Sequence, residues 1–364
     1  MINCVLVGPP QEGGEGVYVK EVSENPPEGV NYWLSQQFHS GNERARCNVI
    51  QEVLLNRAIY PFLRYSFGFR VLSVNQDVDI VHVHSHPTKI HSKQRVPIVM
   101  SAGSSHYIYV RDYEKWNKRK IDRRYNLARL IYRPLGICDE LLNVDSVARI
   151  YTFSNWAREI YIQHGLPPGK VDVICPGFDV PELAPLRTPG EQVNFLFVGR
   201  EFARKGGPLV VAAFERLRES NQHVSLTIVT RECEQVNESA GIRVLPFMSR
   251  EKLYQEIYPA ADVFVMPTEA EGWGFTNAEA MSFALPVIST NISAIPEIVD
   301  HNATGLLIEP GDAGALFIAM RRLAESSDMR EEMGRRGRER FIANFSRNVF
   351  RDRLSEFYMA ALRN

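Results

Sequence analysis

The chain has 364 residues, a formal net charge of −1 and a hydrophobic share of 45%. That length and apolar share predict two globular cores, and the near-neutral charge gives no bulk attraction to nucleic acid. The five cysteines, Cys4, Cys47, Cys138, Cys175 and Cys233, are scattered and form no C-x-x-C pair. They argue for reduced thiols in a cytosolic protein rather than a disulfide frame or a zinc site. No apolar run reaches the roughly 18 residues of a spanning helix, and the first residues read as a strand, so neither a membrane span nor a signal peptide is expected.

In chain order, residues 2–7, 80–84, 98–101 and 149–153 are short apolar or β-branched runs that predict strands of a first parallel sheet, with 171–175 closing it. Residues 176–190 carry Pro176, Pro181, Pro185 and Pro189 and read as a linker. A second cycle follows, with strands predicted at 195–198, 225–229, 243–245, 263–266 and 287–289 and a helix at 208–218. The pattern predicts an α/β chain of two doubly wound, Rossmann-like domains, with ligands at the carboxyl ends of the strands. The expected divisions are 1–180, 181–345 and a final helical segment, 346–364.

The densest chemistry follows the strand at 263–266. A turn, Glu271-Gly272-Trp273-Gly274, leads through Phe275 and Thr276 into a helical segment that carries Glu279. Strand, glycine turn and helix is an arrangement that holds phosphate on loop amides and a helix N-terminus. The two carboxylates can accept hydrogen bonds from nearby hydroxyls, so phosphate and hydroxyls together suggest a nucleotide sugar. Upstream, Arg200 directly follows the strand at 195–198, and Lys205 precedes Gly206-Gly207. Two cations there can stabilise charge building on a departing phosphate. The bland alternatives are a solvated cluster at a loop tip and, for Glu279, an exposed helix carboxylate. Gly13 and Gly14 lie in a glycine-rich loop after the first strand, which is neither a dinucleotide fingerprint nor a P-loop.

These two motifs resemble the signature of the retaining glycosyltransferases of family four. The family's E-G-F-G, L-E-A-M-A and P-V stand here as 271–274, 278–282 and Pro286-Val287, and its F-V-G-R with K-G stands at 197–200 and 205–206. The resemblance implies the GT-B fold, two domains facing across a cleft, with the final helix packing back on the first. It implies transfer of a sugar from a nucleotide-diphosphate donor to a hydroxyl, with retention, no metal cofactor and no protein nucleophile. Arg200, Lys205 and Glu271 become the expected catalytic residues. Gly13, Gly14, Gly272, Trp273, Gly274, Phe275, Thr276 and Glu279 become the expected donor-binding residues, with Glu279 on the ribose. The sequence departs from the family at Gly103, which stands where a histidine is common.

A glycosidase needs two carboxylates facing each other across a bond, which one loop and its own helix supply awkwardly. His82, His84, His86 and His91 could suggest a metal, but the first two sit in an apolar strand. Asp77-Val78-Asp79 precedes its strand and so stands at the wrong end of the sheet for donor chemistry. Residues 111–133 hold nine Lys/Arg against three acidic residues, with interspersed aromatics. They suit contact with an anionic membrane or a lipid-linked or phosphorylated acceptor, from a cytoplasmic, membrane-peripheral enzyme, or simply form a solvated face. A phosphorylase or epimerase on the same fold, and a non-catalytic nucleotide-sugar binding module, are the rival functions.

Overall fold

The computed structural model describes residues 1–8, 14–34, 47–53, 69–74, 77–85, 88–92, 94–103, 111–112, 115–138, 146–182, 192–236 and 239–363. These divide into two compact units, Met1–Gly177 with Asn348–Asn364, and Phe178–Arg347.

The first unit runs β1 (Ile2–Val7), α1 (Gly14–Glu24), β2 (Val30–Leu34), β3 (Cys47–Val53), β4 (Phe69–Val74) and β5 (Ile80–His84). It continues with β6 (Thr88–Ser92), β7 (Ile98–Ala102), α2 (Lys118–Leu135), β8 (Arg149–Thr152), α3 (Asn155–Gln163) and β9 (Val171–Val173). The main sheet has the order β2-β1-β5-β7-β8-β9, and every pairing is parallel. All five residues of β5 are buried, as a parallel strand covered on both faces requires. A smaller sheet, β3-β4-β6, pairs antiparallel and then parallel. Its strands, with β2, lie outside the elements expected from sequence.

The second unit runs β10 (Val193–Val198), α4 (Gly207–Ser220), β11 (Val224–Thr230), β12 (Ile242–Pro246), β13 (Val263–Met266) and α5 (Phe275–Ser282). It ends with β14 (Val287–Thr290), β15 (Gly305–Ile308), α6 (Ala313–Glu325) and α7 (Ser327–Phe345). Its sheet, β12-β11-β10-β13-β14-β15, is also wholly parallel. Val210, Ala213, Phe214 and Leu217 are the buried stripe of α4, at the i, i+3, i+4, i+7 spacing that turns one helix face to a core. The chain order runs outward from β10 through β11 to β12, then returns to the other side at β13. The strand order therefore reverses between β10 and β13, the point at which open α/β sheets hold ligands.

The last helix, α8 (Arg347–Leu362), follows the second unit in sequence, yet residues from Asn348 onward belong to the first. Its Tyr358 is fully buried there, among Tyr32, His82 and Phe357. The entering and leaving segments of the second unit are joined. The Phe178 amide donates to the Phe345 carbonyl at 3.0 Å, and the Arg347 amide donates to the Phe178 carbonyl at 2.8 Å. Arg347 also pairs with Asp179.

Candidate active site

Two loops leave the carboxyl ends of β10 and β13, and Gly206 lets them meet. Gly206 has φ 82°, caps α4, and a Cβ there would stand 2.2 Å from the Pro267 carbonyl oxygen. Only glycine accepts both the left-handed backbone and that approach. The Glu269 amide donates to the Arg204 carbonyl at 3.1 Å. The Arg204 Nη1 donates to the Ala270 carbonyl at 2.7 Å, and Thr268 Oγ1 donates to the same carbonyl at 2.9 Å. Arg204 also pairs with Glu201, which holds that carboxyl below the usual carboxylate range. Sequence reasoning passed over Arg204, because nothing in R-K-G-G marks it as the tether between the loops.

The tether brings Lys205 and Glu271 together. The Lys205 Nζ and Glu271 Oε2 form an ion pair, and the two side chains are only 15% and 12% exposed. The Glu271 Oε1 accepts from the Gly272 amide at 3.2 Å. Arg200 lies on the same loop, with its guanidinium carbon 4.8 Å from the centre of the Phe247 ring and its carbonyl accepting from Thr230 Oγ1 at 3.2 Å. Three expected catalytic residues thus occupy the two loops flanking the reversal point, and two of them touch.

The turn after Glu271 reverses through Gly274, at φ 102°, which precedes the first residue of α5. Trp273 does not present its ring to a ligand: it is 2% exposed and packs against Phe178, Phe275 and Phe345. Its expected donor contact is therefore open only to its backbone. Phe275 shares that aromatic cluster and also contacts Phe178, while Thr276 Oγ1 donates to Met266 Sδ at 3.3 Å. Asn277 is fully buried, and neither atom of its amide group has a hydrogen-bond partner among the described residues.

Glu279 is buried and fixed from two sides. Its Oε1 pairs with Arg250 Nε at 2.9 Å, and its Oε2 accepts from Tyr258 Oη at 2.9 Å. Burial pushes its carboxyl pKa up, against the pull of Arg250 and of the Tyr258 hydrogen bond. Each carboxylate oxygen keeps a further lone pair, so hydrogen bonding to a hydroxyl is still possible. Arg250 lies 4.5 Å from the Phe178 ring and donates to Tyr258's neighbour Tyr254 at 2.8 Å. Arg250 and Tyr258 carried no sequence signal, since they follow no motif and reach Glu279 only through the fold.

In the first unit, Gly14 opens α1, whereas Gly13 lies outside the described residues. At Gly103 a Cβ would stand 2.9 Å from the Phe153 ring, so a histidine there would need that ring to move. Phe153 in turn stacks on His84, with ring centroids 5.9 Å apart. His84 and His82 share a face of β5 and both meet Ser101 Oγ, His84 through Nδ1 at 2.8 Å and His82 through Nε2 at 2.7 Å. The His82 Nδ1 meets Tyr358 Oη at 2.6 Å. Burial pushes both imidazoles down to about 3. His86 lies outside the described residues, among which no group of three or more His, Cys, Asp or Glu could hold a metal. Asp79 accepts from the Asn3 amide at 2.7 Å, at the amino end of the sheet.

From Lys118 onward the basic segment is a surface helix, while Tyr113 and Glu114 lie outside the described residues. α2 is capped by Asn117, whose side chain accepts from the Lys120 amide, and buries only Ile121, Ala128 and Tyr132. Its exposed residues include Leu127 at 43% and Leu130 at 73%. No helix among the described residues is long and apolar enough to cross a membrane.

Comparison with known proteins gives a consistent answer. The model of glycosyltransferase family 4 matches residues 17–182, and that of glycosyl transferases group 1 matches residues 182–340. An alpha-maltose-1-phosphate synthase of Mycolicibacterium smegmatis is 29% identical over 286 residues, 72% of this chain and 73% of that protein. Matches to the next curated relatives span about half their length. Among solved structures, the sucrose-phosphate synthase of Thermosynechococcus elongatus aligns with a TM-score of 0.69 at 17% identity, covering 99% of this chain and 98% of that one. Anabaena HepE in complex with UDP-glucose aligns at 0.66 and 13% identity, covering 99% and 100%. At these identities the structures speak for the fold, GT-B.

Proposed function

The chain belongs to the family 4, group 1 glycosyltransferases, and from that premise we propose that it transfers a sugar from a nucleotide-diphosphate donor to an acceptor hydroxyl with retention at the anomeric carbon. The observation that carries this reading is the placement of Arg200, Lys205 and Glu271 on the two loops that flank the β10–β13 reversal point. Arg200 and Lys205 hold the diphosphate and stabilise the charge it gains as the anomeric carbon–oxygen bond breaks. They supply the positive charge that a divalent cation would otherwise bring, so the reading asks for no metal cofactor. Glu271 accepts hydrogen bonds from donor-sugar hydroxyls, and Glu279 accepts from the ribose.

Amides from Gly272 to Phe275, with Thr276, face the phosphates and sugar at the start of α5. The acceptor oxygen attacks on the face from which the phosphate leaves. Its proton passes to the departing phosphate, so no protein nucleophile takes part.

HepE, a protein of the same fold, was solved with UDP-glucose, which makes a uridine diphosphate sugar the first donor to test. The seven Lys/Arg of α2 against its single Asp122, around Leu127 and Leu130, fit peripheral contact with anionic lipid and hence a lipid-linked or phosphorylated acceptor. A cytoplasmic site suits the free cysteines. The test is product analysis with a panel of nucleotide sugars and hydroxyl acceptors, with and without inorganic phosphate. Release of nucleotide diphosphate with a new glycoside supports the reading. Phosphate-dependent sugar phosphate, an epimerised donor, or donor binding without turnover would replace it by one of the rival functions.

A further inference from the structure

We infer that the Lys205–Glu271 ion pair makes the site discriminate an intact nucleotide sugar from the nucleotide diphosphate it leaves behind. The inference rests on the donor-site reading above, which gives the lysine to the phosphates and the carboxylate to the sugar. In the structure the two groups are each other's partner, and both are largely withdrawn from water. Any diphosphate that recruits Lys205 takes it from Glu271. Among the described residues the neighbouring cations are engaged elsewhere: Arg204 by Glu201 and the Ala270 carbonyl, and Arg200 over Phe247. Among the described residues, the other bond to Glu271 is from one backbone amide, that of Gly272.

A largely covered carboxylate stripped of its cation is costly, because the loss of attraction is not made good by water. An intact donor offsets that loss, since its sugar brings hydroxyl donors to Glu271. A nucleotide diphosphate without sugar brings none. The pair therefore opens at small net cost for substrate and at full cost for product. When the sugar departs to the acceptor, Glu271 draws Lys205 back and weakens the hold on the product. Glu271 acts here as a specificity residue as well as an orienting one.

The test is calorimetric titration of the full chain with UDP, GDP, ADP and TDP, followed through with the tightest binder. Four proteins are compared: wild type, Glu271→Gln, Lys205→Ala and the double variant. Glu271→Gln is expected to bind the diphosphate about tenfold more tightly than wild type while transferring sugar more slowly. Lys205→Ala is expected to bind it at least about tenfold more weakly, and adding Glu271→Gln to Lys205→Ala is expected to restore nothing. Unchanged or weaker binding by Glu271→Gln, with Lys205→Ala weakened, overturns the inference and leaves the donor site standing. Tightening that persists without Lys205 also overturns it, because simple loss of a repelling charge then suffices. Wild-type binding by Lys205→Ala, or no binding of any diphosphate to wild type, overturns the donor-site reading itself. Should Glu271→Gln fail to fold, Glu271→Ala is titrated in its place with the same expected direction.

Discussion

The Tyr358 hydroxyl lies 2.6 Å from His82 Nδ1, although 276 positions separate the two residues. The same hydroxyl meets Tyr32 Oη at 2.8 Å. One phenol on the last helix thus closes a polar chain that runs through His82 and Ser101 to His84, with the buried rings of Tyr18 and Tyr151 packed beside it. Tyr358→Phe keeps the ring and removes the oxygen, leaving His82 and Tyr32 short of a partner. A loss of about 1–3 kcal/mol in unfolding free energy is expected. Urea denaturation measures it, and an unchanged midpoint would show that the hydroxyl does not anchor α8.

The buried imidazoles set the acid side of the stability profile. His82 and His84 are neutral in the fold, with pKa values near 3, against about 6.5 when unfolded. Below pH 6.5 the unfolded chain binds protons that the folded chain refuses, so stability falls as pH falls and levels off above about 7. The slope is up to about 1.4 kcal/mol per pH unit for each histidine, and it extends down towards pH 3. Denaturation midpoints between pH 7 and 5 isolate this effect from most carboxylates. A flat profile across that interval would mean that the histidines take up protons in the folded state.

Arg200→Ala is expected to fold normally and to cut transfer about a hundredfold, or roughly 3 kcal/mol of barrier. Arg200 is half-buried on a loop, and its backbone contacts survive the change. Turnover at saturating donor, with circular dichroism as the folding control, decides the matter. Turnover near the wild-type rate would remove Arg200 from the catalytic set.

Gly206→Ala tests the meeting of the two loops. The added methyl would stand 2.2 Å from the Pro267 carbonyl oxygen, at φ 82°. A loss of more than about 2 kcal/mol is expected, together with loss of transfer, because the loop bearing Glu271 must shift. Gly169→Ala, where a Cβ meets nothing within 4 Å, is the control and should stay within about 0.5 kcal/mol. Equal stability of the two variants would argue that the loops are not held together at this point.

Most strands of the two parallel sheets, though not β2, were legible because each is a short β-branched or apolar run with a turn residue at its end; β13 matches its expected bounds, and β10 begins two residues earlier than expected. The strands β3, β4 and β6 were not, since none stands out from its surroundings as an apolar run and their pairing is set by one another. β15, with the sequence G-L-L-I, is too short to distinguish from a loop. At the site, Arg200, Lys205, Glu271 and Glu279 could be picked out by residue type and spacing. Their partners could not: Arg250 reaches Glu279 across 29 positions, and Arg204 reaches Ala270 across 66. Spacing within a motif survives in the sequence, whereas long-range contacts are made only by the fold. Trp273 shows the converse, a motif residue whose ring serves the interior.

The assignment of α8 to the first unit has a consequence for synthesis. The second unit, residues 178–347, is continuous in the chain and can fold as soon as it clears the ribosome. The first unit begins to emerge earlier yet must wait for Tyr358 before its polar chain closes. During vectorial translation the amino-terminal half is therefore the last to be completed, and His82 spends that interval without its hydroxyl partner. Release of the nascent chain before residue 358 would yield a finished second unit beside an unfinished first one, a species that limited proteolysis of arrested chains would distinguish at once.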